Sequence, residues 1–389
     1  MFSSRLPAAL APNAITRAVQ AARARGVRLL DLTESNPTRV GVQYPASLLT
    51  PLADSAGLAY GPEPFGLLSA REAVSAHVRG SAGVDVDPGR IVLSASTSEA
   101  YAWLFKLLCD PGDDVLVPAP SYPLFDALAS LDAVRLAPYR LDYHGLWSID
   151  RDSVSRALSP RTRAVLVVSP NNPTGSCLRA ADREWLLDLA AARGLAVIAD
   201  EVFSEYPLRP GPDAVSLLGP SPALTFVLGG LSKSAGLPQL KLAWTIAGGP
   251  PALCDDALAR LEVIADTYLS VSTPLQLAAP DLLHAGRAIR AQIQARIDLN
   301  LSALEALAGS ESPVTPLRPE GGWSAVLRVP AVESEESIVL RLLDEASVFV
   351  HPGYFFDFES EAWLVVSLLP EPGIFAEGLK KVFDQVAAS

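Results

Sequence analysis

The chain has 389 residues, 49% hydrophobic and 19% charged, a globular composition long enough for two domains and a large core. A net charge of −12 with no basic stripe excludes a nucleic-acid or anionic-membrane binder. The longest uncharged run, from Ala214 to Ser232, is broken by Gly219, Pro220 and Pro222, which excludes a membrane helix there. Cys109, Cys177 and Cys254 are an odd number without paired spacing. They read as reduced thiols of a cytoplasmic protein rather than as disulfides or metal ligands. Neither a secretory signal nor a separate DNA-binding domain is expected ahead of residue 12.

In chain order, residues 12–28 carry Ile15, Val19 and Ala22 at helical spacing, Leu29 to Leu32 reads as a short strand, and Thr33 to Arg39 as a polar turn. A loop over 60–66 precedes an amphipathic helix from Leu67 to Arg79. From Ile91 on, strands and helices alternate. Strands are predicted at 91–93, 114–118, 133–137, 163–168, 196–199, 224–228 and 242–246, with helices ending at Leu108 and spanning 122–131 and 179–193. Continuous apolar strands separated by helices predict an α/β fold: a mainly parallel, seven-stranded sheet sandwiched by helices. Residues 252–269 and 274–308 are long helical stretches. The remainder mixes strands (323–329, 363–367) with helices (335–346, 374–386), as a smaller α+β domain does.

Chemistry concentrates at Gly229-Gly230-Leu231-Ser232-Lys233, after the buried strand 224–228. A lysine at a strand end among small residues suits a Schiff base with an aldehyde cofactor, because the amine needs a lowered pKa and an open approach. Lys241 is a second cation able to reach a phosphate, and these two are drawn from only five lysines in the chain. Ligands in open α/β sheets sit beyond the carboxyl ends of the strands. There, Ser96-Thr97-Ser98 opens a helix and offers an anion site, although taken alone an ordinary serine N-cap accounts for it better. Tyr122 can stack on a flat ring or simply pack. Asn172 lies in the proline-bracketed turn Ser169-Pro170-Asn171-Asn172-Pro173. Asp200 ends a buried strand, where a carboxylate needs a partner such as a protonated pyridine nitrogen.

In this order (anion site, aromatic, Asn, Asp, Lys) the chain resembles the class I/II aminotransferases, fold type I enzymes dependent on pyridoxal phosphate and similar to aspartate aminotransferase. The signposts are Tyr60 and Gly66, Ser96-Thr97, "PGDDVLVPAPSYP", "SPNNPTG", "ADEVF", "GGLSK" and "GGW". The resemblance implies a large cofactor domain over 46–280 and a small domain made of the N-terminal segment 1–45 and residues 281–389. It implies that Lys233 holds pyridoxal 5'-phosphate and moves the substrate proton, that Asp200 pairs with the pyridine nitrogen, and that Asn172 donates to the phenolic oxygen. Tyr122 would stack on the ring, Ser96 and Thr97 helped by Lys241 would hold the phosphate, and Ser232 would contact the cofactor. Tyr60 would reach the phosphate of a neighbouring subunit, which implies a homodimer with shared sites. Ser35, Asn36 and Arg39, in the N-terminal covering segment, would face the substrate with Asn172. The implied partners are an amino acid or amine donor and a 2-oxo acid acceptor. A lyase or decarboxylase on the same cofactor is the alternative, since the same electron sink serves both.

Departures from the family pattern bear on mechanism. Ser96 stands where glycine is usual and Gly230 where a phosphate-binding serine is common. Lys241 replaces an arginine fork with a point charge. Phe203 replaces a tyrosine that normally helps Asn172, with Tyr206 as a possible substitute. Near the C-terminus Val365, in Trp363-Leu364-Val365-Val366-Ser367, replaces the arginine that forks onto the substrate carboxylate, and no arginine follows Arg341. Either the substrate lacks a carboxylate there, or another cation takes over; Arg39 and Arg318 are the candidates in the sequence.

Overall fold

The computed structural model describes residues 2–7, 10–211, 213–309 and 312–388. Of the expected N-terminal segment Met1, Ala8 and Ala9, and of the C-terminal portion Ser310, Glu311 and Ser389, lie outside the described residues, as does Pro212.

The main sheet has the strand order Ile91–Ser94, Ala243–Gly248, Thr225–Gly230, Ala196–Asp200, Thr162–Val168, Asp114–Ala119, Arg135–Tyr143, Trp147–Ile149. The five strands from Thr225–Gly230 to Arg135–Tyr143 pair in parallel; Ala243–Gly248 and Trp147–Ile149 run antiparallel to their neighbours. All seven expected strands are present. The eighth, Trp147–Ile149, is three residues folded back on the edge, too short to show a period. Its partner strand also runs past Pro138 to Tyr143. At Pro138 that strand has a neighbour on one side only, so the missing N–H costs no ladder bond.

Alternation along the buried strands divides the core in two. Val165, Val167, Val197, Ala199 and Val227 face the helices Leu68–Ala82, Ala180–Arg193 and Thr273–Leu307. Leu166, Val168, Ile198, Phe226 and Leu228 face Thr97–Leu108, Leu124–Leu131 and Pro251–Tyr268. Covered on both faces, these strands carry unbroken apolar runs between polar ends, as a parallel sheet favours.

A second, antiparallel sheet has the order Thr315–Pro316, Ser324–Arg328, Trp363–Ser367, His351–Pro352. Its Ala325, Leu327, Leu364 and Val366 join the main core, whereas Val326 and Val365 pack with Trp147, Leu317 and Phe356. The N-terminal Leu30–Asp31 pairs with Val348–Phe349, and Ser367 N–H donates to the Leu32 carbonyl at 2.7 Å, which ties the N-terminal segment to this sheet.

The 35-residue helix Thr273–Leu307 runs unbroken, with Pro280 inside it. Near its middle, Arg290 donates to the Ser234 carbonyl at 2.9 Å; further along, Asn300 donates to the carbonyls of Leu368 and Pro370 at 2.8 Å each. It therefore touches both the turn that carries Lys233 and the segment after Ser367.

Candidate active site

The parallel strands end at one edge of the sheet, and the chain leaves them through Ala119-Pro120, Val168-Ser169, Asp200 and Gly230. Two antiparallel steps restore the direction of Ile91–Ser94, so Ser94 and the turn to Ser96 reach the same edge. The topology thus gathers Ser96, Tyr122, Asn172, Asp200 and Lys233 from segments up to 137 positions apart.

Asp200 is the buried centre. Its Oδ2 accepts the Tyr101 hydroxyl at 2.9 Å and its Oδ1 the Val202 N–H at 3.2 Å. Burial raises its pKa; Tyr101, the Val202 amide and the charge of Lys233 oppose the rise. It makes no ion pair among the described residues, so both neighbours are neutral donors and a place for a cation remains. A protonated pyridine nitrogen fits that place. Tyr101 was not visible as a site residue from sequence. It lies on the helix Thr97–Leu108 one turn after Thr97, and its own pKa is raised by burial and by Asp200.

Lys233 sits in the short helix Leu231–Ser234 that follows the strand Thr225–Gly230. Its Nζ lies 4.6 Å from the centre of the Trp323 ring and 5.2 Å from that of Phe203, and those rings meet edge-on at 5.3 Å. Rings attract an ammonium, and Asp200 favours it too, but loss of water outweighs both and lowers the amine's pKa to about 8. Tyr206, fully buried, donates to the Lys233 carbonyl at 2.6 Å. Its hydroxyl is thus committed to the lysine's backbone and does not replace the phenol missing at Phe203.

Asn172 Oδ1 accepts Ser324 Oγ at 3.4 Å, which leaves its amide N–H groups to face the site. Ser324 is a second residue that sequence reasoning missed. Tyr122 is 43% exposed, and partial burial and the Asp200 charge raise its pKa. Ser96 caps the helix Thr97–Leu108 by accepting the Glu99 N–H at 3.1 Å, while Glu99 reaches back to the Ala95 N–H at 2.7 Å. The remaining amides of this first turn have no partner within the helix, as at any helix N-terminus. Ser232 is half-buried beside Lys233, and Lys241 is exposed in a left-handed turn. Away from this group, Tyr60 is 80% exposed and Ser35 is exposed. Asn36 caps the turn Pro37–Arg39, and the exposed Arg39 lies 3.9 Å from Glu34.

The loop before Trp323 is anchored by Glu320. Its carboxylate, 1% exposed, accepts Arg179 at 2.6 Å, Gly211 N–H at 2.8 Å and Cys177 N–H at 3.2 Å. A side chain at Gly321 would put its Cβ 2.6 Å from Pro170 Cγ, so only glycine lets this loop lie against the Asn172 turn. Glu320→Ala leaves Arg179 buried beside Asp213 alone and should cost about 3 kcal/mol of stability in urea unfolding. A loss under about 1 kcal/mol would show that Asp213 compensates by itself.

Residues 31–373 match the sequence profile described as "Aminotransferase class I and II". The chain is 29% identical over 255 residues to the glutamate-pyruvate aminotransferase AlaA of Escherichia coli (strain K12), covering 65% of this chain and 63% of that protein. It is 30% identical to the arginine–pyruvate transaminase AruH of Pseudomonas aeruginosa, over 85% of this chain and 82% of that protein. In structure it resembles an Escherichia coli aminotransferase with a TM-score of 0.87 and 24% identity, covering 100% of this chain and 98% of the other. No helix among the described residues is long and apolar enough to cross a membrane.

Proposed function

Because this chain belongs to the class I and II aminotransferase family, we propose that it is a pyridoxal-phosphate-dependent aminotransferase. It moves an amino group from an amino acid or amine to a 2-oxo acid in a two-stage, ping-pong exchange, and it recognises the substrate carboxylate without an arginine at position 365. The observation that carries this reading is a desolvated lysine, pKa about 8, at the same sheet edge as a buried carboxylate that accepts two neutral donors and makes no ion pair among the described residues.

Pyridoxal phosphate, when bound, supplies an aldehyde to capture the amine and a ring to accept the electrons released at the α-carbon. In this reading Lys233 would hold the cofactor and would carry the proton on and off the substrate α-carbon, a task suited to an amine whose pKa is lowered to about 8. Asp200 keeps a proton on the ring nitrogen. Asn172, oriented by Ser324, donates to the ring oxygen, and Tyr122 covers the ring. Backbone amides and hydroxyls of Ser96 and Thr97, with Ser232 and Lys241, take the phosphate. The exposed Leu49, Leu58 and Tyr60 support a homodimer in which Tyr60 reaches the second subunit's phosphate. The free thiols of Cys109, Cys177 and Cys254 support a cytoplasmic setting.

The test is a half-reaction screen of amino acids and amines, followed by cofactor absorbance. Conversion of the cofactor to its amine form, restored by a 2-oxo acid, supports the reading. Release of pyruvate and ammonia instead would mark a lyase.

With Tyr206 committed elsewhere, the ring oxygen has Asn172 as its donor from this part of the site. Phe203→Tyr should therefore lower the pH at which the bound cofactor's absorbance titrates, because a new donor favours the ring oxygen's ionised form. A spectroscopic pH titration decides it; an unchanged or raised midpoint contradicts the vacancy at Phe203.

A further inference from the structure

We propose that the imidazole of His351 binds a carboxylate of the substrate, an inference that rests on the aminotransferase reading. Its basis is a row of side chains across the antiparallel sheet. His351 lies directly opposite Val365, and Val365 directly opposite Val326. Directly opposed residues share a face of the sheet. Ser324, two positions before Val326, shares that face too and reaches Asn172. The face that carries His351 is therefore the one turned to the active site.

The surroundings of His351 are built for a ring that lacks a partner. Phe349, Phe355 and Phe356 lie 5.5, 5.8 and 5.8 Å away, centre to centre. The Phe356 carbonyl accepts the Ser121 N–H at 2.9 Å, which joins this aromatic wall to the loop of Tyr122. His351 Nδ1 is buried and makes no hydrogen bond among the described residues. Burial lowers the imidazole's pKa to about 4, so it is neutral in the free protein. The charged group that faces it is Asp31, which opposes the shift and already accepts the Thr33 N–H and hydroxyl. On the helix packed against the same strand, Glu335 turns to the amides of Tyr354 and Trp363.

A substrate carboxylate beside Nδ1 would supply both the missing acceptor and the countercharge for an imidazolium. The two arginines that the sequence offered are placed otherwise. Arg318 donates Nε and Nη2 to the Arg209 carbonyl at 3.2 and 3.0 Å, and the Arg39 side chain is 73% exposed beside Glu34. Binding in this way takes up a proton, so affinity for a carboxylate falls as pH rises past the imidazole's pKa in the complex.

Two readouts test this on the cofactor-loaded protein. In imidazole NMR titrations, maleate should raise the His351 pKa from about 4 to above roughly 6. In half-reactions, the ratio of kcat/KM for L-alanine over ethylamine, and for L-arginine over agmatine, should fall about ten- to hundredfold in His351→Phe. That variant suits the aromatic wall, and His351→Asn provides a second, smaller replacement. His351→Arg should recover part of the ratio and lose its pH dependence. The inference is overturned if maleate leaves the imidazole neutral at pH 6, or if both replacements keep the ratio within about threefold. A panel in which neither amino acids nor amines change the cofactor absorbance overturns the aminotransferase reading itself, and this inference with it.

Discussion

Lys233→Ala is expected to abolish the visible absorbance of covalently held cofactor and all measurable turnover. No other lysine can take its place. Lys106 pairs with Asp132, Lys380 with Asp384 and Lys381 with Glu377, while Lys241 is exposed on a separate turn. With a pKa of about 8, about a tenth of the Lys233 amine is unprotonated at pH 7, against roughly 3 in 10,000 for an ordinary lysine. Burial lowers the pKa by disfavouring the charged form, so cofactor capture by the cofactor-free protein should rise about tenfold from pH 6 to 7 and level off above about 8. Borohydride reduction followed by peptide mapping identifies the lysine. A reducible adduct on another lysine in the variant would sink the assignment.

Asp200→Asn is expected to lower kcat/KM on the order of 10³-fold for whichever donor the screen finds fastest. The carboxylate spends one lone pair of each oxygen on Tyr101 and Val202 and keeps the others, with its charge, for a cation. An amide keeps one oxygen to accept the Val202 N–H and turns an N–H toward the Tyr101 hydroxyl, which accepts as well as donates, so both contacts survive and the fold loses little. The loss of charge is the larger effect, because a neutral amide cannot hold a proton on a ring nitrogen. Folding should therefore survive, as far-ultraviolet dichroism would show, while activity does not. Activity within a few-fold of wild type would contradict the role given to Asp200.

Much of this arrangement was legible in the sequence because a parallel sheet writes its strands as apolar runs, and the polar residues that end those runs lie at one edge. Lys233, Asp200 and Asn172 are legible for that reason. The strand Trp147–Ile149 was not, being too short for a period, and neither was the extension past Pro138, since a proline marks a strand end unless one side is unpaired. Tyr101 reads as one more apolar position on a helix; its hydroxyl finds a partner 99 positions away, which no local pattern encodes. Arg318 is the converse case. A cation beside a glycine pair invites a role in binding, yet its guanidinium is held by backbone carbonyls. His351 carried no signal because its meaning lies in cross-strand register with Val365.

The helix Thr273–Leu307 has a mechanical consequence. At 1.5 Å per residue it is a rod about 52 Å long. Where it crosses the Lys233 turn it carries Gly286, and a Cβ there would lie 2.4 Å from the Cβ of Ala235. Nearly four turns further on, Asn300 grips the backbone beyond the strand that bears Val365. One stiff rod thus gauges the span between the reactive amine and the C-terminal strand.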